Sequence, residues 1–131
     1  MNIVLLQPPR LGTWTRDFTF KELLPHIGLA YLAASGRKAG HTVKVIDGLV
    51  EERDLKKFVA RVLESRPDAV GFTANTYQIP DAGQIADALK SAAPRLPLIL
   101  GGYHVSPIPE RTLGEFPSFD MAVTDEGEET L

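Results

Sequence analysis

Cysteine is absent from all 131 residues, which removes disulfides, thiolate metal sites, iron–sulfur ligation and a cysteine nucleophile from this chain's own chemistry. The same absence fits a reducing compartment. No apolar run approaches the roughly 20 residues of a membrane span. The start, Met1-Asn2-Ile3-Val4-Leu5-Leu6, lacks a basic leader and is too short for a signal segment. These features predict a cytoplasmic protein without a membrane partner. Charge of one sign is not in excess either: the formal net charge is −3 and acids and bases are dispersed, so no nucleic-acid surface is expected. A G-x-G-x-x-G dinucleotide fingerprint occurs nowhere, and no serine sits in a nucleophile elbow.

The length suits one domain able to hold a core without staples. Asn2 to Leu6 is a continuous apolar run stopped by Gln7-Pro8-Pro9, the pattern of a parallel strand buried on both faces. Arg10 to Leu24 has no clear period, and Trp14 and Phe18 stand among polar residues in a loop of a length often tied to function. A helix is predicted from Pro25, with Ile27, Ala30, Tyr31 and Ala34 as its apolar stripe, widened by Leu29, Leu32 and Ala33, and with Gly40 as its stop. Thr42 to Asp47 reads as an edge strand because Lys44 interrupts the apolar residues.

The second helix, about Glu52 to Ser65, carries Leu55, Phe58, Val59, Val62 and Leu63 on one face. Asp68 to Thr73 is a third strand, followed by a polar stretch in which Asn75 or Thr76 caps a helix from about Ile79 to Ala93. Pro97 to Leu100, a short helix near Pro109 to Phe116, and Asp120 to Val123 complete the pattern. Thr124 or Asp125 is expected to cap the beginning of a fifth helix. Because that helix would be cut off almost at once, the chain is expected to be a fragment of a longer polypeptide.

Strands alternating with helices at this spacing predict an α/β fold: a three-layer, doubly wound parallel sheet of five strands in the flavodoxin-like (Rossmann-like) order 2-1-3-4-5. Ligands of such sheets bind beyond the carboxyl ends of the strands. The loops there are Gln7 to Leu24, Asp47-Gly48, Thr73 to Gln78, Gly101 to Ser106 and Thr124 to Glu128. A phosphoacceptor would place an aspartate at the end of the third strand, where Thr73 stands. A flavin phosphate loop would need amide donors where Pro8-Pro9 offers few. The Gly101-Gly102 pair reads either as a tight turn or as a close approach of the main chain to a ligand.

The segments Gly101-Gly102-Tyr103-His104-Val105-Ser106, Pro109-Glu110, Asp120-x-x-Val123 and Glu126-Gly127-Glu128-x-Thr130 occur here in order. Together with Leu5-Leu6-Gln7-Pro8-Pro9, His26-Ile27-Gly28-Leu29-Ala30-Tyr31 and Gly40-His41, they resemble the N-terminal cobalamin-binding domain of cobalamin-dependent radical S-adenosylmethionine enzymes, methyltransferases and a porphyrin-ring cyclase among them. The resemblance covers nearly the whole chain. It implies that the strand ends hold the corrin ring and its nucleotide tail, with Gly101 and Gly102 admitting the tail, flanked by Tyr103 and His104. Gln7 would stand at the end of the first strand. Thr73, Asn75, Thr76 and Tyr77 would face the lower side of the corrin, and Thr124, Glu126 and Gly127 would close the far wall.

None of His26, His41 and His104 follows an aspartate by two positions, so the Asp-x-His-x-x-Gly motif of other cobalamin domains is missing. Base-off binding without a histidine ligand to cobalt is therefore expected, His104 making ordinary hydrogen bonds. Asp125 replaces the glycine usual in the family's Gly-Glu-Gly-Glu. The resemblance also implies a downstream radical domain with a [4Fe-4S] cluster and S-adenosylmethionine, without which this cysteine-free chain performs no radical step. A cofactor-free doubly wound interaction or regulatory module is the alternative, and a nucleotide- or sugar-binding half of a transferase is a third reading. Loss of the fifth helix predicts an exposed apolar patch and a homodimer of the fragment.

Overall fold

The computed structural model describes residues 1–11, 25–50 and 54–130. The expectations about Trp14 and Phe18 fall outside those residues. Five parallel strands, β1 (Asn2–Gln7), β2 (Thr42–Asp47), β3 (Ala69–Thr73), β4 (Leu98–Gly101) and β5 (Met121–Ala122), form one sheet in the order β2-β1-β3-β4-β5. Both the α/β class and the 2-1-3-4-5 order agree with the sequence reading. Register aligns the strand ends: Gln7 pairs with Asp47, and Thr73 pairs with Gly101.

Four α-helices connect the strands among the described residues: α1 (Ile27–Lys38), α2 (Leu55–Glu64), α3 (Ile79–Ala92) and α4 (Pro109–Glu115). Alternation along each strand sends residues to opposite faces. Val4, Leu6, Val70 and Phe72 pack with Phe58, Val62, Ile85 and Leu89 in the larger core. Phe72 meets Phe119 edge to face at 5.0 Å, a favoured aromatic geometry. On the opposite face Ile3, Leu5 and Val43 pack against Leu29 and Ala33 of α1. The three-layer arrangement is thus unequal, with α2 and α3 on one face and α1 beside β1 and β2 on the other. No described helix is long and apolar enough to cross a membrane.

Two details correct the sequence reading. The α1 stripe is rotated: Leu29 and Ala33 are buried, whereas Ile27 is 69 % and Tyr31 65 % exposed, and Ala30 and Ala34 are also exposed. Both faces of this helix are apolar, so periodicity alone allows either side to meet the sheet. Neither Thr124 nor Asp125 caps the last turn. A 3-10 turn spans Gly127–Glu129 with Glu126 at its N-cap position, while Asp125 takes a left-handed backbone conformation, φ 59°. That conformation explains why glycine is at home in this place.

Candidate functional site

Gly102 is the hinge of the site. It has φ 102°, and a Cβ there would stand 2.8 Å from the Ala74 carbonyl oxygen and 2.9 Å from the Thr73 hydroxyl. Both φ and contact therefore require glycine, since the exits of β3 and β4 run against each other. The Ala74 amide donates to the Gly101 carbonyl at 3.1 Å, and the His104 amide donates back to the Ala74 carbonyl at 3.3 Å. Gly101 is less constrained, its added Cβ meeting only ordinary contacts at 3.6 and 3.7 Å.

Below this hinge a slot of about 220 Å³ runs along the sheet under α1. Gly71 and Gly101 keep its floor low, Leu29 and Leu32 form one wall, and Val123 and Gly127 form another. Its lining is mostly apolar, Phe72 included; the polar residues are Thr73, Asp125 and Thr130, and His41 near the amino ends of the strands. Above the hinge the slot opens into a wider cleft of about 760 Å³, bounded by His26, Tyr31, Tyr103, Ser106, Glu126 and Glu128. Thr73, Gly102, Asp125 and Gly127 line both spaces, which makes them one continuous site at the carboxyl ends of β3 to β5.

The walls are fastened by polar contacts. The Ser106 hydroxyl donates to the Gly102 carbonyl at 3.2 Å and accepts from the Asp125 amide at 3.2 Å. Ser35 of α1 donates to the Glu128 carbonyl at 3.0 Å. The N-terminus of α1 is capped by His26, whose Nδ1 accepts from the Leu29 amide at 3.2 Å. In the loop after β3, a 3-10 turn covers Thr76–Gln78 with Asn75 at its N-cap position. The Asn75 amide donates to Oε1 of the buried Gln78 at 3.0 Å, and Asn75 Nδ2 donates to the Tyr77 hydroxyl at 3.3 Å. His104 Nδ1 lies 3.2 Å from the Thr76 hydroxyl, and its Nε2 is buried without a hydrogen-bond partner.

Of the residues singled out from the sequence, Thr73, Gly101, Gly102, Tyr103, Glu126 and Gly127 line the slot or the cleft. Asn75, Thr76, Tyr77 and His104 instead form a bonded loop beside it. Gln7 is buried at the end of β1, and Thr124 is exposed at the exit of β5; neither lines these two spaces. Sequence reasoning missed His26, Tyr31 and His41 as lining residues, whereas Ser106 and Asp125 lie in loops it had already placed at the site. The double-sided apolar character of α1 is the signal that would have indicated Tyr31, because a helix with one face on the sheet has no packing need for the other.

Comparison with known proteins gives a consistent relationship. An uncharacterized methyltransferase of Pyrococcus horikoshii is 37% identical over 131 residues, covering 100% of this chain and 28% of that protein. The anaerobic magnesium-protoporphyrin IX monomethyl ester cyclase of Rubrivivax gelatinosus is 30% identical over 108 residues, 82% of this chain and 20% of that protein. This chain therefore spans under a third of these curated relatives. Among solved structures, the cobalamin-dependent S-adenosylmethionine radical enzyme OxsB superposes with TM-score 0.69 at 21% identity, covering 97% of this chain and 17% of that one. A CheY-like protein of Pseudomonas aeruginosa superposes with TM-score 0.61 at 17% identity, covering 98% and 92% of the respective chains. These two likenesses show the fold alone. The model of the B12 binding domain matches residues 16–131, and the chain belongs to that family.

Proposed function

We propose that this chain binds cobalamin base-off, with the corrin ring over the carboxyl ends of β3 to β5 and the nucleotide tail in the slot. The observation that carries the reading is the junction at Gly102, where a narrow apolar slot opens into a wider, polar-rimmed cleft. A cavity of about 150 Å³ holds one benzene ring, so a slot of about 220 Å³ suits a two-ring base and excludes the corrin. The cleft supplies hydroxyl, carboxylate and aromatic groups for a ring bearing amide side chains. When bound, cobalamin supplies a cobalt centre that carries a methyl group or one electron.

The protein's own part is to bind and orient. Thr73, Gly101, Gly102, Tyr103, Glu126 and Gly127 would contact the cofactor directly. Asn75, Thr76, Tyr77 and His104 would support the loop under the corrin, and Gln7 and Thr124 would frame the site's two edges. His104 would not ligate cobalt, since Nδ1 is engaged with Thr76 and Nε2 is buried. By its relatives, residues 1–131 would be the N-terminal cobalamin domain of a longer cytoplasmic radical S-adenosylmethionine methyltransferase or cyclase. The [4Fe-4S] cluster and S-adenosylmethionine would belong to its downstream domain. Alone, the chain would pair as a homodimer through β4 and β5, where Met121 is 49 % exposed.

The test is a visible absorption titration with hydroxocobalamin, followed by gel filtration and by electron paramagnetic resonance of the reduced Co(II) form. Co-elution of colour, a base-off spectrum and no nitrogen superhyperfine splitting are expected. Failure to retain colour would favour the cofactor-free module. Nitrogen splitting would restore a histidine or benzimidazole ligand.

A further inference from the structure

The start of α1 carries two residues that a helix beginning does not favour, and both border the cleft. Ser, Thr, Asp and Asn are the better N-caps, yet His26 holds that position. Glycine weakens a helix relative to alanine, yet Gly28 stands in the first turn. Both residues line the wide cleft and neither lines the slot. Departures from local preference collect at functional positions, and the geometry accounts for this pair. The Leu29 amide donates to His26 Nδ1 at 3.2 Å. A main-chain amide can only donate, so Nδ1 carries the lone pair and the neutral ring holds its proton on Nε2. A Cβ on Gly28 would stand 3.2 Å from His26 Cε1 and 3.4 Å from Nδ1, so the missing side chain lets the ring lie close over the first turn. The two nitrogens of an imidazole point apart. A ring bound to the helix through Nδ1 therefore turns Nε2–H away from it, and the free edge of this half-buried ring is what borders the cleft. Asp125, Glu126 and Glu128 supply acceptors there, the Ser106 hydroxyl is already engaged by Gly102 and Asp125, and His26 is the one side chain with a nitrogen donor among the described lining residues.

We infer that His26 is a binding residue of this site, its Nε2–H donating to the carbonyl oxygen of a side-chain amide on the rim of the corrin. The inference rests on the cobalamin reading above and adds a contact to it. A ring amide is the acceptor, not the phosphate of the tail, because that reading seats the tail in the slot and His26 lines only the cleft. The carboxylates of the same cleft accept from the NH2 end of such amides and disfavour an anion beside them. One net hydrogen bond amounts to a difference of about threefold to tenfold in affinity.

Two substitutions separate the cap from the contact. Asparagine offers an acceptor near the place of Nδ1 and caps a helix well, but it has no donor at the place of Nε2. Glutamine carries an amide nitrogen near the place of Nε2 and caps poorly. His26→Asn is therefore expected to keep or raise the urea midpoint while weakening cobalamin binding about threefold to tenfold, and His26→Gln to lower the midpoint while keeping most of the affinity. Visible absorption titrations use cobalamin and cobinamide, which has the ring amides and no nucleotide, and the loss in His26→Asn should be the same factor for both. Unchanged affinity in His26→Asn, or a loss in His26→Gln as large as in His26→Asn, overturns the inference and leaves the cofactor reading standing. A loss confined to cobalamin puts the donor on the tail and overturns the assignment to a ring amide. A wild-type chain that retains neither corrinoid overturns the cofactor reading, and the inference with it.

Discussion

The backbone amide of Asp125 donates to the Ser106 hydroxyl at 3.2 Å, joining the exit of β5 to the loop that follows β4. Because the same hydroxyl donates to the Gly102 carbonyl, one side chain sets the spacing of two walls of the site. Ser106→Ala is expected to cost about 1 kcal/mol of stability and to weaken cobalamin binding more than that loss explains. Urea denaturation and absorption titration of the same variant separate the two effects.

Asp125 holds a left-handed backbone, φ 59°, that costs a side-chain-bearing residue energy and costs glycine none. Asp125→Gly should therefore raise stability by about 0.5–1 kcal/mol, the local strain relieved outweighing the added freedom of the unfolded chain. Asp125→Val should lower it. A shift of the urea midpoint in the opposite order would mean that the carboxylate has a stabilising role of its own.

The two adjacent glycines are not equivalent. Gly102→Ala drives a Cβ into backbone atoms at 2.8 and 2.9 Å at a positive φ, and a loss of about 2–3 kcal/mol is expected. Gly101→Ala meets only ordinary contacts, so stability should change by less than about 1 kcal/mol. Its methyl group would nevertheless rise from the slot floor, and corrinoid affinity should fall. Unchanged affinity in a folded Gly101→Ala would remove the floor of the slot from the binding site.

His104→Ala should reduce cobalamin affinity by less than about tenfold, the loss of one supporting hydrogen bond, and leave the spectrum of the bound cofactor unaltered. A changed Co(II) resonance spectrum would mean that this imidazole reaches cobalt.

At the opposite end of the sheet, Asp120 accepts from Lys90 at 2.8 Å and from the Leu98 amide at 2.7 Å. Desolvation pushes its carboxyl up, but the Lys90 and Leu98 hydrogen bonds and the Lys90 charge outweigh this and hold it below the ordinary carboxylate range. A folded-state value below the unfolded one of about 3.9 means stability that is complete above that pH and lost as pH falls through the folded value. The Asp120 side chain is 43% exposed, so screening limits the contribution to under about 1 kcal/mol. The stability gap between wild type and Asp120→Asn should close on acidification from pH 7 to below pH 3 and shrink in high salt; a gap that widens would reverse the assignment.

The alternation of apolar strands and one-faced helices made the architecture legible, since α2 and α3 each offer a single stripe and bury it. Periodicity failed at α1, where Ile27 and Tyr31 match the helical spacing as well as Leu29 and Ala33 do. Only the sheet's position decides which set is covered. Glycines at Gly101 and Gly102 marked the site in the sequence because backbone geometry leaves a trace in composition. The slot left none: Met1, Gly71 and His41 are far apart along the chain and come to line one slot only through the pairing of the strands. Asn75, Thr76 and His104 were legible as polar loop residues, but not as partners of one another or of Gln78.

The wall made by Gly127–Glu129 packs on α1 beside Leu32 and is fastened by the Ser35–Glu128 bond and by the Asp125–Ser106 contact. A tail seated in the slot would lie against a wall pinned to α1 and to the loop after β4. The residence time of a bound corrinoid would then depend on these hydrogen bonds at the end of the sheet. Loosening Ser35, which lines neither the slot nor the cleft, would shorten that stay without removing a lining residue.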